Sequence, residues 1–274
     1  MRVLLREPLV PAAPAARPVR STVPVLARQE ATRLLRHPLS VAGFALYTLF
    51  ATGNVLGPAD PARAFGFIDT TPTVVPGLFA LLAGSLLASR DHRARTDELL
   101  TPLPGRAFER VMALCLACLA PAALTLVLVL VLHAVQLQQG LYVESPGLGH
   151  LTQGAMTVLG GGLFGVMVGT WTPTRSAALL ALVLMVVVNL AVAADGWPHH
   201  LFALLVEWSI YVPGGGWAGL RAGSPGWHLA YLLGLCGLAA CAALLRVAPR
   251  RTPVLLASGV SLAMAVAGGI GQLP

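Results

Sequence analysis

Residues 90–110 read R-D-H-R-A-R-T-D-E-L-L-T-P-L-P-G-R-A-F-E-R, and they lie between two long apolar runs, 72–88 and 111–133. Lipid cannot hold so charged a segment. The flanking runs are therefore read as helices that cross a bilayer, with the charged stretch outside its hydrocarbon. Within the stretch, Thr96 is placed to cap a short helix through Leu99 and Leu100. Asp97 and Glu98 fall in its first turn, where carboxylates complement the helix dipole, and Pro102, Pro104 and Gly105 then stop it before Arg106. The expectation is a short helix lying across the end of a membrane bundle.

Composition agrees with that reading. Hydrophobic residues make up 56% of the 274, charged residues only 11%, and mean hydropathy is +0.77. A soluble helix of this length would carry a polar face, yet the run 177–194 has none. Seven runs approach the ~20 apolar residues a membrane helix needs: 39–56, 72–88, 111–133, 151–171, 177–194, 227–245 and 254–270. The expected fold is an all-α polytopic membrane helix bundle with six to seven transmembrane helices. The last run either crosses or lies along the membrane, and crossing is preferred. Between the fifth and sixth runs, the apolar segment 201–212 carries Glu207 and is too short to cross. It is read as a re-entrant or interfacial helix.

The chain ahead of the first run divides in two. Residues 1–22 are Pro- and Arg-rich and read as a flexible cytoplasmic tail, with the membrane domain in 23–274. Over 25–36, helical spacing puts Ala27, Ala31, Leu34 and Leu35 on one face and Arg28, Gln29, Thr32, Arg33 and Arg36 on the other. That pattern predicts an amphipathic helix in the bilayer interface, its Arg side chains reaching to lipid headgroups.

All 18 basic residues are Arg; there is no Lys. With the N-terminus inside, the alternating loops place only Arg63 and Arg221 outside and the other sixteen in the cytoplasm. This bias predicts a multi-pass protein of the plasma membrane with a cytoplasmic N-terminus. It also accounts for the pI near 10.1 without a nucleic-acid partner. A phosphate-binding P-loop requires Lys after its glycines, so the chain carries no ATP-binding motif of that kind. Enzyme chemistry has little support. His199 and His200 lack a third metal ligand, neither H-E-x-x-H nor G-x-S-x-G occurs, and Cys115, Cys118, Cys236 and Cys241 all fall inside apolar runs. No metal site is expected.

Inside the runs, Gly161, Gly165 and Gly169 recur every fourth residue and would share one helix face, allowing close approach of a neighbour. Pro121 would kink the third run. Thr125, His133 and Asn189 are intramembrane polar residues and hence candidates for a substrate path.

The tract R-L-L-R-H-P at 33–38, taken with T-D-E-L-L-T-P-L-P-G-R at 96–106, resembles the permease subunits of ABC-2 type exporters. The resemblance implies that 23–274 is an ABC-2 type transmembrane domain. It also implies that the helix containing Thr96, Asp97, Glu98, Leu99 and Leu100, followed by Pro102 and Arg106, docks on a separate ATPase subunit. ATP and Mg would then be bound by that ATPase and no cofactor by this chain. A second permease subunit, identical or related, would complete the pathway, and the lipid bilayer is the remaining partner. The rival readings are a non-transporting membrane scaffold or sensor subunit, and a secondary carrier; an uncharged bundle without internal repeats speaks against the carrier.

Overall fold

The computed structural model describes residues 22–55, 71–93, 107–140, 147–194, 209–212, 216–219 and 225–273. Helices dominate it, and each of the seven apolar runs coincides with one. In chain order they are α1 (Val23–Leu35), α2 (Pro38–Val55), a π-helical turn (Thr73–Gly77) running into α3 (Leu78–Ala88), a single turn α4 (Arg90–Arg93), α5 (Ala107–Ala117), α6 (Leu119–Gln138), α7 (Leu148–Trp171), α8 (Arg175–Ala194), α9 (Pro225–Val247) and α10 (Arg251–Gly271). Four of the described helices are long and apolar enough to cross a membrane: the continuous pair 107–138, then α7, α9 and α10. A fifth span arises if α1 and α2, which meet at a bend of 58°, count as one. The chain therefore has the character of a multi-pass membrane protein. Its last run forms a full-length apolar helix.

Local sequence explains the breaks. Pro38 opens α2, and a residue before proline is steered away from helix, so the chain bends at His37. Pro76 has no N–H to give the carbonyl of Pro72, and the ladder widens there into the π-turn. The same missing donor acts in the third run, one turn upstream of the kink expected at Pro121. Pro121 cannot serve Ala117, so α5 stops at Ala117 and Cys118 closes the gap with a tighter bond to the Cys115 carbonyl at 3.2 Å. Gly140, with φ +67°, takes the left-handed conformation that ends α6. Thr174 starts α8 by accepting the Ala177 amide on its hydroxyl at 3.3 Å.

One expectation is corrected. The segment read as an outer helix over 201–212 ends in a strand: β1 (Ser209–Val212) pairs antiparallel with β2 (Gly216–Gly219), Tyr211 opposite Trp217. The β-branched and aromatic residues of Ile210, Tyr211 and Val212, followed by Pro213 and three glycines, favour a hairpin over a helix. Residues 201–208 lie outside the described residues.

The core is organised around α7, which packs on α3, α6 and α9. Leu34 of α1, Ala83 of α3, Leu114 and Cys118 of the third run, Leu159, Leu163 and Val166 of α7, and Cys236 and Ala243 of α9 form one buried cluster. Gly161, Gly165 and Gly169 face the backbone carbonyls of Gly77, Leu81 and Ser85, so closely that a Cβ on any of the three would strike them. α9 and α10 pack as closely, Gly234 against Ala265 and Gly268 against Tyr231. Their far ends are joined by His228 Nδ1 and Gln272 Oε1 at 3.0 Å.

Candidate functional site

Two regions have the makings of a site, one at each depth of the bundle. The first is at the arginine-bearing end. α1 packs along α5 and is fastened at its start by the Thr22 hydroxyl, which donates to Glu109 Oε2 at 2.9 Å. Leu34 is fully buried and Ala27, Ala31 and Leu35 are partly so, while Arg28, Gln29, Thr32, Arg33 and Arg36 are exposed. The helix thus has the two faces its sequence pattern describes, but the apolar face rests on protein.

Glu30, which the sequence did not single out, sits on that buried face with 9% of its side chain exposed. Arg90 grips it with both prongs of its guanidinium, Nη2 to Oε1 at 2.7 Å and Nη1 to Oε2 at 2.9 Å, and Arg33 adds Nη1 to Oε1 at 2.9 Å. Two-pronged Arg–carboxylate pairing is among the strongest of charge-assisted contacts, and it lets a carboxylate be buried at tolerable cost. A signal was present: Glu30 is a lone acid on the apolar stripe of a helix whose other charges are all Arg. Nearby, Arg93 closes the end of α3 by donating from Nη2 to the Leu86 carbonyl at 2.6 Å. The Trp171 indole donates to the Ala242 carbonyl at 2.8 Å, and the Arg246 guanidinium stands over its ring at 5.7 Å. These elements enclose a cavity of about 610 Å3.

The second region is inside the bundle. A cavity of about 300 Å3 lies between the π-turn, α7, α8 and α9, and no charged residue lines it. Its polar features are Thr73, Thr157 and Asn189 amid Met156, Phe164, Met185 and Leu235. Thr157 donates its hydroxyl hydrogen to the Gly154 carbonyl at 2.8 Å, so Thr73 is the donor in the 2.7 Å bond between the two threonines. The Asn189 amide donates to Met185 in its own helix at 2.7 Å.

Of the three polar residues named from sequence, only Asn189 lines this cavity. Thr125 is fully buried and turned onto its own helix, bonding the Pro121 carbonyl at 2.9 Å, and His133 is buried near the far end of α6. Thr157, which the sequence pattern does not mark as polar lining, occupies the position four residues before Gly161 and so continues the glycine stripe. The residues assigned to the docking helix, Thr96, Asp97, Glu98, Leu99, Leu100, Pro102 and Arg106, lie outside the described residues, as do residues 1–21 of the tail. Among the described residues no group of His, Cys, Asp or Glu is arranged to hold a metal ion. No protein-family model and no curated protein matches this chain.

Proposed function

We propose that this chain is the membrane-spanning permease subunit of an ABC-2 type exporter, with six or seven spans, a cytoplasmic N-terminus in the plasma membrane, and ATP hydrolysis supplied by a separate subunit. The resemblance of 33–38 and 96–106 supports the family reading. The observation that carries the mechanism is the Glu30–Arg90 clamp. It ties α1 to the mouth of the segment that the resemblance assigns to the ATPase. A push on that segment is transmitted through Arg90 to Glu30, along α1 to Leu34 in the central core, and from there to α7, which forms one wall of the uncharged inner cavity. That cavity suits a largely apolar cargo touching a few neutral hydrogen-bonding groups. Two copies of the chain would enclose the full path.

The test is purification of the tagged chain from its native membrane under mild detergent. A P-loop ATPase is expected in stoichiometric amount, lost when Glu98→Arg and Leu99→Asp are combined. Recovery of a stable, monodisperse chain without any ATPase, from cells exporting normally, refutes the reading.

A further inference from the structure

The inner cavity has a shape and a polarity that limit what fits it. α7 lines it from 156 to 164 and α8 from 181 to 189, each a rise of about 12 Å along the helix axis. A volume of about 300 Å3 spread over that length leaves a cross-section of roughly 25 Å2, the width of one extended hydrocarbon chain. A helix about 10 Å across would need roughly 900 Å3 over the same length, so no helix of a second copy enters.

The two ends of this slot differ. Thr157 stands fourteen residues before Trp171 and Asn189 fourteen after Arg175, so the two lie at one depth of the α7–α8 hairpin, and Thr73 joins Thr157 there. From that depth toward the arginine-bearing end the lining turns apolar, through Leu184, Leu235, Phe164 and Ala239. At the polar end the Thr73 hydroxyl gives its hydrogen to Thr157, and among the described residues no group donates to the Thr73 oxygen. A hydroxyl oxygen whose hydrogen is already engaged has only lone pairs left to offer, and its next partner must be a donor. The slot also reaches the outside of the bundle. Leu184 and Val188 line it and are still 59% and 49% exposed, which puts its rim on the lipid-facing surface of α8. Met156 and Met185, unbranched and adaptable, let the walls close around a flexible chain.

From this we infer a binding site for an unbranched alkyl chain that ends in a neutral O–H group, as in a long-chain alcohol or an undissociated fatty acid, entering from the bilayer beside α8. The chain lies along the apolar part of the slot and the O–H donates to the Thr73 oxygen. In naming the cargo this rests on the export reading; the binding itself needs only the bilayer.

The test uses the full chain reconstituted in phosphatidylcholine bilayers with hexadecanol that carries a mid-chain diazirine, followed by mass-spectrometric mapping of the photolabel. Saturable labelling of the cavity-lining turns of α7, α8 and α9 is expected. Dodecanol, and lauric acid at about pH 4, should displace it, and the tighter of the two identifies the source of the O–H group. Methyl dodecyl ether, which has the chain without the donor, should compete about tenfold more weakly. Ala181→Phe should reduce labelling about tenfold by filling the slot, and Leu184→Trp at the exposed rim makes the same comparison should the first variant fail to fold. Leu256→Phe, on the exposed face of α10, should leave labelling unchanged. Equal competition by the ether, undiminished labelling in the filled variants, or a label spread evenly over cavity and exposed faces overturns the proposal. A chain that binds the alcohol but purifies without an ATPase loses the export reading and keeps this site. One that purifies with an ATPase and shows no saturable label loses this site alone.

Discussion

Glu30 and Arg90 stand sixty residues apart in the chain and meet through two hydrogen bonds of 2.7 and 2.9 Å, joining the helix before the first span to α4, the turn that follows α3. The pair is unequal: 9% of the Glu30 side chain is exposed and 34% of that of Arg90. Removing the arginine therefore strands a buried carboxylate, whereas removing the acid frees a group that can turn to water. Arg90→Met should cost on the order of 2–3 kcal/mol, less than full stranding because Arg33 remains in contact, and Glu30→Gln should cost less. The double variant should recover part of the loss. Thermal unfolding of the detergent-solubilised protein measures all three, and a Glu30→Gln variant as damaged as Arg90→Met contradicts the inequality.

Glycines differ in what they make room for. Gly165→Ala drives a Cβ into the Leu81 carbonyl, where backbone cannot yield cheaply, and should destabilise by about 1–3 kcal/mol. Gly259 of α10 has nothing within reach of an added Cβ, so Gly259→Ala should be neutral or stabilise by up to about 1 kcal/mol. Melting of the two variants side by side checks this, and equal behaviour would mean that α3 and α7 are not in backbone contact.

His37 sits at the bend between α1 and α2, where its Nδ1 accepts the Leu39 amide at 3.3 Å and burial holds its pKa below the usual value of about 6.5. The folded state thus binds fewer protons than the unfolded one between the two pKa values. Stability at the bend should be intact above about pH 6.5 and decline as pH falls through that window. His37→Gln should flatten this component of the pH–stability curve, and an unchanged slope between pH 7 and pH 5 would exclude His37 as its source.

The inner cavity offers a separation of fold from function. Ala181→Phe places a ring into its space from α8 without touching the α3–α7 contact, so melting should shift little, while on the proposed function export should fall. Unimpaired export by a folded Ala181→Phe variant would remove this cavity from the substrate path.

Membrane orientation can be read with single cysteines. The four native cysteines are buried and can be replaced by Ala. Probes at Gln139 and Thr96 should then label from opposite sides of the membrane, Thr96 from the cytoplasm. Labelling of both from one side would dissolve the arrangement of spans.

The four helices long and apolar enough to cross a membrane were visible because a hydrocarbon environment imposes a composition on every residue of a spanning helix, and composition is what a sequence displays most plainly. The faces of α1 were visible for the related reason that helical period alone sorts Leu34 from Arg33. What stayed hidden depended on partners distant in the chain. Nothing local distinguishes Thr157, which lines the inner cavity, from Thr125, which bonds its own helix; the difference is the presence of Thr73 across the gap. The role of Glu30 depends on a partner sixty residues on, and the break falls at Cys118, before Pro121, because a proline disrupts the turn that precedes it. The strand at Ser209–Val212 was missed because a short apolar run carries no period long enough to choose between helix and hairpin.

The stripe of Gly161, Gly165 and Gly169 has a mechanical consequence for the cavity beside it. By locking α3 and α7 backbone to backbone, it makes them a stator, a pair with no side-chain layer between them to slide or repack. The opposite wall is built differently. Among the described residues of α8 only Ala178 and Asn189 are buried, and Leu180, Leu184 and Leu190 show more than half their surface. Of the cavity's walls α8 is the one least held by the bundle, so a change in the volume of the cavity is easier from its side than from the α3–α7 pair, with Asn189 moving along.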